Sequence, residues 1–135
     1  MAALTADRDT PYRDGGILEI GVAAATVIFA GSLVAGNAAG FATKGATALG
    51  LVGLGRADAR ADNSAGAAGD INVRIRKGVF RFANSASTDA ITRGEIGDVA
   101  YIVDDQTVAK TDGTGTRSPA GTVFDVDAQG VWIKF

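Results

Sequence analysis

The stretch Gly50-Leu51-Val52-Gly53-Leu54-Gly55 carries its glycines in the manner of a phosphate-binding loop. The dinucleotide fingerprint needs a different order of glycines and a following helix whose N-terminus meets the pyrophosphate. Here Gly55 runs into Arg56 and Asp58, in a segment expected to stay irregular. Asp125-Val126-Asp127-Ala128-Gln129-Gly130 resembles the start of a calcium loop, but the bidentate Glu of such a loop has no counterpart before Phe135. Two solvent-facing aspartates flanking Val126 at strand spacing are the simpler reading. Asp104-Asp105 reads as turn chemistry, because neighbouring strand residues point apart and cannot share a proton. Ser118 has no histidine anywhere in the chain to activate it.

The composition agrees with these exclusions. Neither histidine nor cysteine is present, which removes the commonest general base, the commonest metal ligand and every disulfide. No cofactor and no enzymatic activity are expected. Net charge is −2, which suits neither nucleic acid nor a membrane surface, since both call for clustered Lys and Arg. The largest basic group is Arg74, Arg76, Lys77 and Arg81. It reads either as the polar face of a strand or as a patch that docks an acidic protein surface.

The elements that must position these residues are short. The 135 residues fit one domain, over 17–135, with no room for a second core of comparable weight. Much of the apolar content is alanine, and 19 glycines accompany it. Small side chains bury little area and glycine loses the most backbone entropy, so stability through association is expected. Ile20 to Thr43 is uncharged and long enough to cross a bilayer, yet Gly21, Gly31, Gly36, Asn37 and Gly40 interrupt it. The start, with Asp and Arg alternating, is unlike a signal peptide.

Residues 1–16 form an extended arm in which Asp7, Arg8, Asp9, Arg13 and Asp14 alternate in sign and Gly15-Gly16 loosens the junction. The arm is either a disordered terminus or a segment that orders against another subunit through Leu4, Pro11 and Tyr12. Strands are expected at Ile17–Ile20, Thr26–Phe29, Leu33–Val34, Phe41–Thr43 and Leu49–Ala57, with a mobile loop over 62–69. Ile71, Val73 and Ile75 alternate with Asn72, Arg74 and Arg76, the clearest strand of all. Phe80 and Phe82 fall on the opposite parity, so a bulge or bend is expected at Gly78.

Thr92-Arg93-Gly94-Glu95 has capping-box spacing and predicts a helix of one or two turns closed by Gly97, with Ser87, Thr88 or Asp89 as an alternative start. Further strands are expected at 99–103, 107–109, 121–126 and 131–135, with a polar loop over 111–119. Trp132 and Phe135 end the last strand, either pinned into the sheet or as interface anchors. The pattern is all-β: a small barrel or sandwich-like domain with one short helix and an extended N-terminal arm.

Three stretches are similar to the small capsid cement, or minor capsid, proteins of Mu-like tailed bacteriophages. They are Arg76-Lys77-Gly78-Val79-Phe80-Arg81-Phe82, Ile91–Gly97 and Val99–Val108. The opening Leu4–Pro11 and the ending Gly121–Val126 with Gly130–Ile133 resemble them as well. The resemblance implies a virion structural protein made in the bacterial host cytoplasm and bound to the outer capsid surface. Its partners would be the major capsid protein and itself, as a homotrimer first and a dimer second, with no nucleic acid and no membrane. Leu4, Pro11, Tyr12, Arg74, Arg76, Trp132 and Phe135 are the interaction candidates. The competing reading is a virion-borne or secreted binding module for a host surface ligand.

Overall fold

The computed structural model describes residues 2–135. After the arm come β1 (Ile17–Gly21), β2 (Thr26–Ile28), β3 (Leu33–Gly36), β4 (Ala42–Lys44), β5 (Val52–Ala57) and β6 (Ala61–Asn63). β7 (Asn72–Arg76) and β8 (Val79–Asn84) follow. Two 3-10 turns, Ser87–Asp89 and Arg93–Glu95, lead to β9 (Val99–Ile102), β10 (Thr107–Ala109), β11 (Pro119–Asp127) and β12 (Gly130–Lys134).

The first strands build an antiparallel sheet in the order β1-β7-β5-β3-β4. It curls until its edge strands meet at one point, where Val22 bridges Ala42. β2 pairs with β6 as a separate ribbon. The later strands form a closed barrel, β10-β8-β12-β11-β9, antiparallel except where β10 runs parallel to β8. No helix of the described residues is long and apolar enough to cross a membrane.

Two hydrophobic cores result, where the length suggested one. Val22, Ile28, Val34, Val73 and Ile75 fill the curled sheet, with Ala42, Ala57 and Ala61. Phe82, Ile91, Ile102, Val108, Val123, Val131 and Ile133 fill the barrel. The physical reason for two is the shortness of the strands: a narrow barrel closes around few side chains, and alanine suffices at several of its positions. β3 serves both cores, since successive strand residues point to opposite faces. Leu33 and Ala35 enter the barrel core and Val34 the other, and all three are fully buried. Each large aliphatic group buried this way contributes about 1.5–3 kcal/mol.

Close backbone approach holds the halves together. A Cβ on Gly53 of β5 would collide with the Ala120 carbonyl of β11. Nearby, the buried Ser118 hydroxyl donates to the Ala48 carbonyl at 2.7 Å and accepts from the Leu51 N–H at 3.0 Å.

β7 has the expected alternation, with Val73 and Ile75 buried and Asn72, Arg74 and Arg76 exposed. The break at Gly78 is there too, at φ +146°, a value that L side chains rarely adopt. Its role is larger than a bulge: the chain leaves the curled sheet at that glycine and enters the barrel.

The expected short helix forms as a single 3-10 turn, the shorter of the two lengths its sequence suggested, with Gly97 at φ +96° just after it. The capping box forms, with Glu95 Oε2 accepting from the Thr92 N–H at 2.6 Å and Thr92 Oγ1 accepting from the Gly94 N–H at 3.3 Å. Elongation then fails, because the Gly97 N–H donates to Val123 of β11 at 2.9 Å. Sheet pairing wins over a second helical turn. Ser87–Asp89 forms its own 3-10 turn, so both candidate starts are used. Arg56 is also more regular than expected, inside β5, and the 62–69 loop begins within β6.

Candidate interaction surfaces

The arm lies in the open. Residues 2–16 are all exposed, with Leu4 at 72% and Tyr12 at 86%. Among the described residues, no backbone hydrogen bond ties 2–15 to the rest of the chain. Its one internal side-chain link among the described residues is the Tyr12 hydroxyl donating to Asp14 Oδ1 at 2.8 Å. The first anchor is Gly16, whose carbonyl accepts from the Lys77 N–H at 2.9 Å.

Arg74 and Arg76 project from the exposed face of β7, beside Arg56 of β5. All three converge on Asp58. Arg56 Nη2 is 2.8 Å and Arg76 Nη2 3.0 Å from its carboxylate, with Arg74 Nε at 3.7 Å. Hydrogen bonds from Arg56, then Arg76, hold the Asp58 carboxyl below its ordinary value despite some desolvation. Three guanidiniums share one carboxylate, so the face keeps a positive surplus. Arg56 also lies 4.6 Å from the Phe80 ring centroid.

The basic group read from the sequence is divided by the fold. Arg81 belongs to β8 of the barrel and stacks 5.6 Å from the Trp132 ring centroid. Trp132 is half-buried, and its indole N–H donates to Asp127 Oδ2 at 2.7 Å. The other Asp127 oxygen accepts from the Gln129 and Gly130 N–H groups, which makes the β11–β12 turn. Asp127 is lowered chiefly by the Trp132 hydrogen bond. Phe135 packs beside Phe82 in an edge-to-face contact at 5.9 Å and beside Phe80 at 6.4 Å. Leu4, Pro11 and Tyr12 therefore share the arm and Arg74 and Arg76 share one sheet face. Trp132 and Phe135 are fastened to the barrel.

The two polar loops are tied down. Asn63 is buried, and its Nδ2 donates to the carbonyls of Val22, Ala23 and Ala67, which fixes the 62–69 loop. Asp89 fixes the 111–119 loop. It accepts from Thr111 Oγ1 at 2.7 Å, from Arg117 Nη1 at 2.9 Å and from the Ser85 hydroxyl at 3.1 Å. Desolvation pushes its carboxyl up, but these hydrogen bonds outweigh that and hold it at about 2. The Glu95 carboxyl also stands at about 2, mainly through its bonds from Thr92, with Lys110 nearby.

One surface escaped the sequence reading. Val99 pairs with Thr122 across β9 and β11, and Phe124 follows on the same side of β11, at a register shift between Val123 and Asp125. Val99 and Phe124 are exposed, and Ile96 lies exposed just before β9. The signal was the run Val123-Phe124-Asp125-Val126, in which apolar residues occupy both strand faces. Among the described residues, no group of three or more carboxylates is placed to hold a metal ion. A shallow cleft is lined by Phe29–Ser32 with Asp105 and Gln106.

Compared with protein-family models, curated proteins and solved structures, the chain matches none.

Proposed function

We propose that the chain is a capsid decoration protein of a tailed phage, binding the outer surface of the mature head and stabilising the lattice of the major capsid protein. The observation that carries the reading is the arm. An exposed, sign-alternating segment of residues 2–16 precedes a tightly closed β body and resembles the opening of cement proteins. The loops of that body are stapled to it, so the arm is the part free to reach a neighbour.

The mechanism is linkage. A protein that binds the expanded lattice and not its precursor shifts the balance toward the expanded state and raises the cost of disassembly. Each contact can be weak, because many copies act together on one shell and an oligomer engages several subunits at once. An extended arm that adds a strand to a partner sheet gains affinity from main-chain hydrogen bonds and asks little of side-chain identity.

The test compares heat-induced DNA release from isolated particles carrying the full chain, particles without it, and particles offered a chain lacking residues 2–14. Release at a higher temperature with the full chain alone supports the reading. Equal release from all three overturns it. Substitutions in loops 62–69 and 111–119 that abolish attachment to cells while leaving heat release unchanged favour the host-ligand module instead.

A further inference from the structure

The curled sheet has an unfilled edge, and the register shows which atoms line it. Along β1 and β7 the partners are Ile17–Arg76, Leu18–Ile75, Glu19–Arg74, Ile20–Val73 and Gly21–Asn72. The Gly16 carbonyl accepts from Lys77 and the Val22 N–H donates to Ile71, both at 2.9 Å. In an antiparallel pair the hydrogen-bonded positions alternate. Leu18 and Ile20 therefore bond to β7, and Ile17 and Glu19 turn their N–H and C=O groups to the other side. β4 reaches that side only at Val22, through the bridge to Ala42. The edge from Ile17 to Ile20 is open, and the arm leads directly into it.

We propose that this edge is filled by a second copy of the same chain, the two pairing antiparallel over residues 12–20 about a two-fold axis at Gly16. The inference stands apart from the capsid reading. Hydrogen-bond parity allows only registers that set odd residues against odd. Centring on Glu19 sets two glutamates face to face, which is destabilising. Centring on Gly15 sets Pro11, which has no N–H, against Glu19. Centring on Gly16 sets Arg13 against Glu19 and Gly15 against Ile17, each twice. Arg13 and Glu19 then form opposite-charge cross-strand pairs.

In this register the even residues pair as Tyr12 with Ile20, Asp14 with Leu18 and Gly16 with itself, and the Asp14 carboxylate keeps the Tyr12 hydroxyl as its partner. Leu18 and Ile20 are half-buried against the core of the curled sheet. Tyr12 of the second copy falls opposite Ile20 on that same face, an aromatic–β-branched pair that covers it. Pro11 falls opposite Gly21, next to the position where β4 takes over the edge. The pairing stops where the proline can no longer donate.

The chain has no cysteine, so a single introduced one reports the register directly. Gly16 lies at an exposed position with no atom within 4 Å of an added Cβ. Gly16→Cys would face its own copy as a non-hydrogen-bonded pair, with Cα atoms about 4.5 Å apart, inside the span of a disulfide. Under mild oxidation the expected result is a covalent dimer from Gly16→Cys, little from Asp14→Cys or Leu4→Cys, and a dimer from mixed Asp14→Cys and Leu18→Cys chains. Sedimentation should show a dimer for the full chain and a monomer without residues 2–14. Arg13→Glu and Glu19→Arg should each weaken dimerisation at least tenfold, and the double substitution should restore it. A monomeric or trimeric full chain, a dimer that survives the deletion, or equal cross-linking from all single cysteines overturns the proposal.

Discussion

Arg117 Nη1 stands 2.9 Å from Asp89 Oδ2, and together with Thr111 on the other carboxylate oxygen it fastens the 111–119 loop to the 3-10 turn at Ser87–Asp89. Both side chains are largely covered, and Arg117 Nε is buried with no partner of its own. The pair therefore cannot lose one member cheaply. Asp89→Ala leaves a desolvated guanidinium without its anion, and a loss of about 2–3 kcal/mol in urea unfolding is expected at neutral pH.

The same carboxylate sets an acid limit. The Asp89 pKa is lowered in the fold to about 2 from an ordinary 3.8. A depressed carboxylate stabilises the fold fully above its unfolded value and loses that contribution as pH falls through the folded one. Stability should therefore decline between about pH 4 and pH 2 in the parent chain. Asp89→Asn should flatten that part of the decline, measured as urea midpoints at half-unit pH steps.

Asn63 is a structural linchpin for the other loop, since its amide supplies donors to three carbonyls from a buried position. Asn63→Ala is expected to cost about 2 kcal/mol through unpaired polar groups. Asn63→Asp should cost more, because besides losing the donor it places a desolvated carboxylate against those carbonyl oxygens. Parallel denaturation curves of the two variants give the order.

Gly53→Ala drives a methyl group into the backbone of β11 at Ala120 and should lower stability by about 1–3 kcal/mol. Gly15→Ala meets nothing within 4 Å and should stay within about 0.5 kcal/mol of the parent. Equal thermal midpoints for the two variants would show that β5 and β11 do not rely on close approach.

Phe135→Ala removes the ring packed against Phe80 and Phe82. A loss of about 2–3 kcal/mol is expected, since the ring is only half-buried and the figure for full burial is higher. Trp132 is the single tryptophan of the chain and sits on β12, which ends one residue before Phe135. Its emission should follow unfolding of the barrel at a lower denaturant midpoint.

Local features were legible in the sequence wherever a single element's own chemistry decides. The alternation of Val73 and Ile75, the parity change at Gly78, the Asp104 and Asp127 turns and the Thr92–Glu95 capping box all rest on neighbours within a few residues. What could not be read rests on partners far away. Ser118 holds Ala48 and Leu51, Asn63 holds Val22, and Gly97 gives its N–H to Val123 in place of a helical turn. Arg81 left its basic neighbours for the same reason, since Gly78 hands it to another sheet. On the surface, the arm was visible in its charges and glycines. The open edge of β1 was not, because it depends on where β4 stops.

β3 gives the molecule a direction in time. The core of the curled sheet is drawn wholly from residues between Leu18 and Ile75, whereas the barrel core borrows Leu33 and Ala35 from β3. Chains emerge from the ribosome N-terminus first, at about 5–20 residues per second. The early half can collapse while the late half is still being made, and it then presents Leu33 and Ala35 as a finished wall. The barrel core is incomplete without β3, and a fragment starting after Gly78 would lack Leu33 and Ala35.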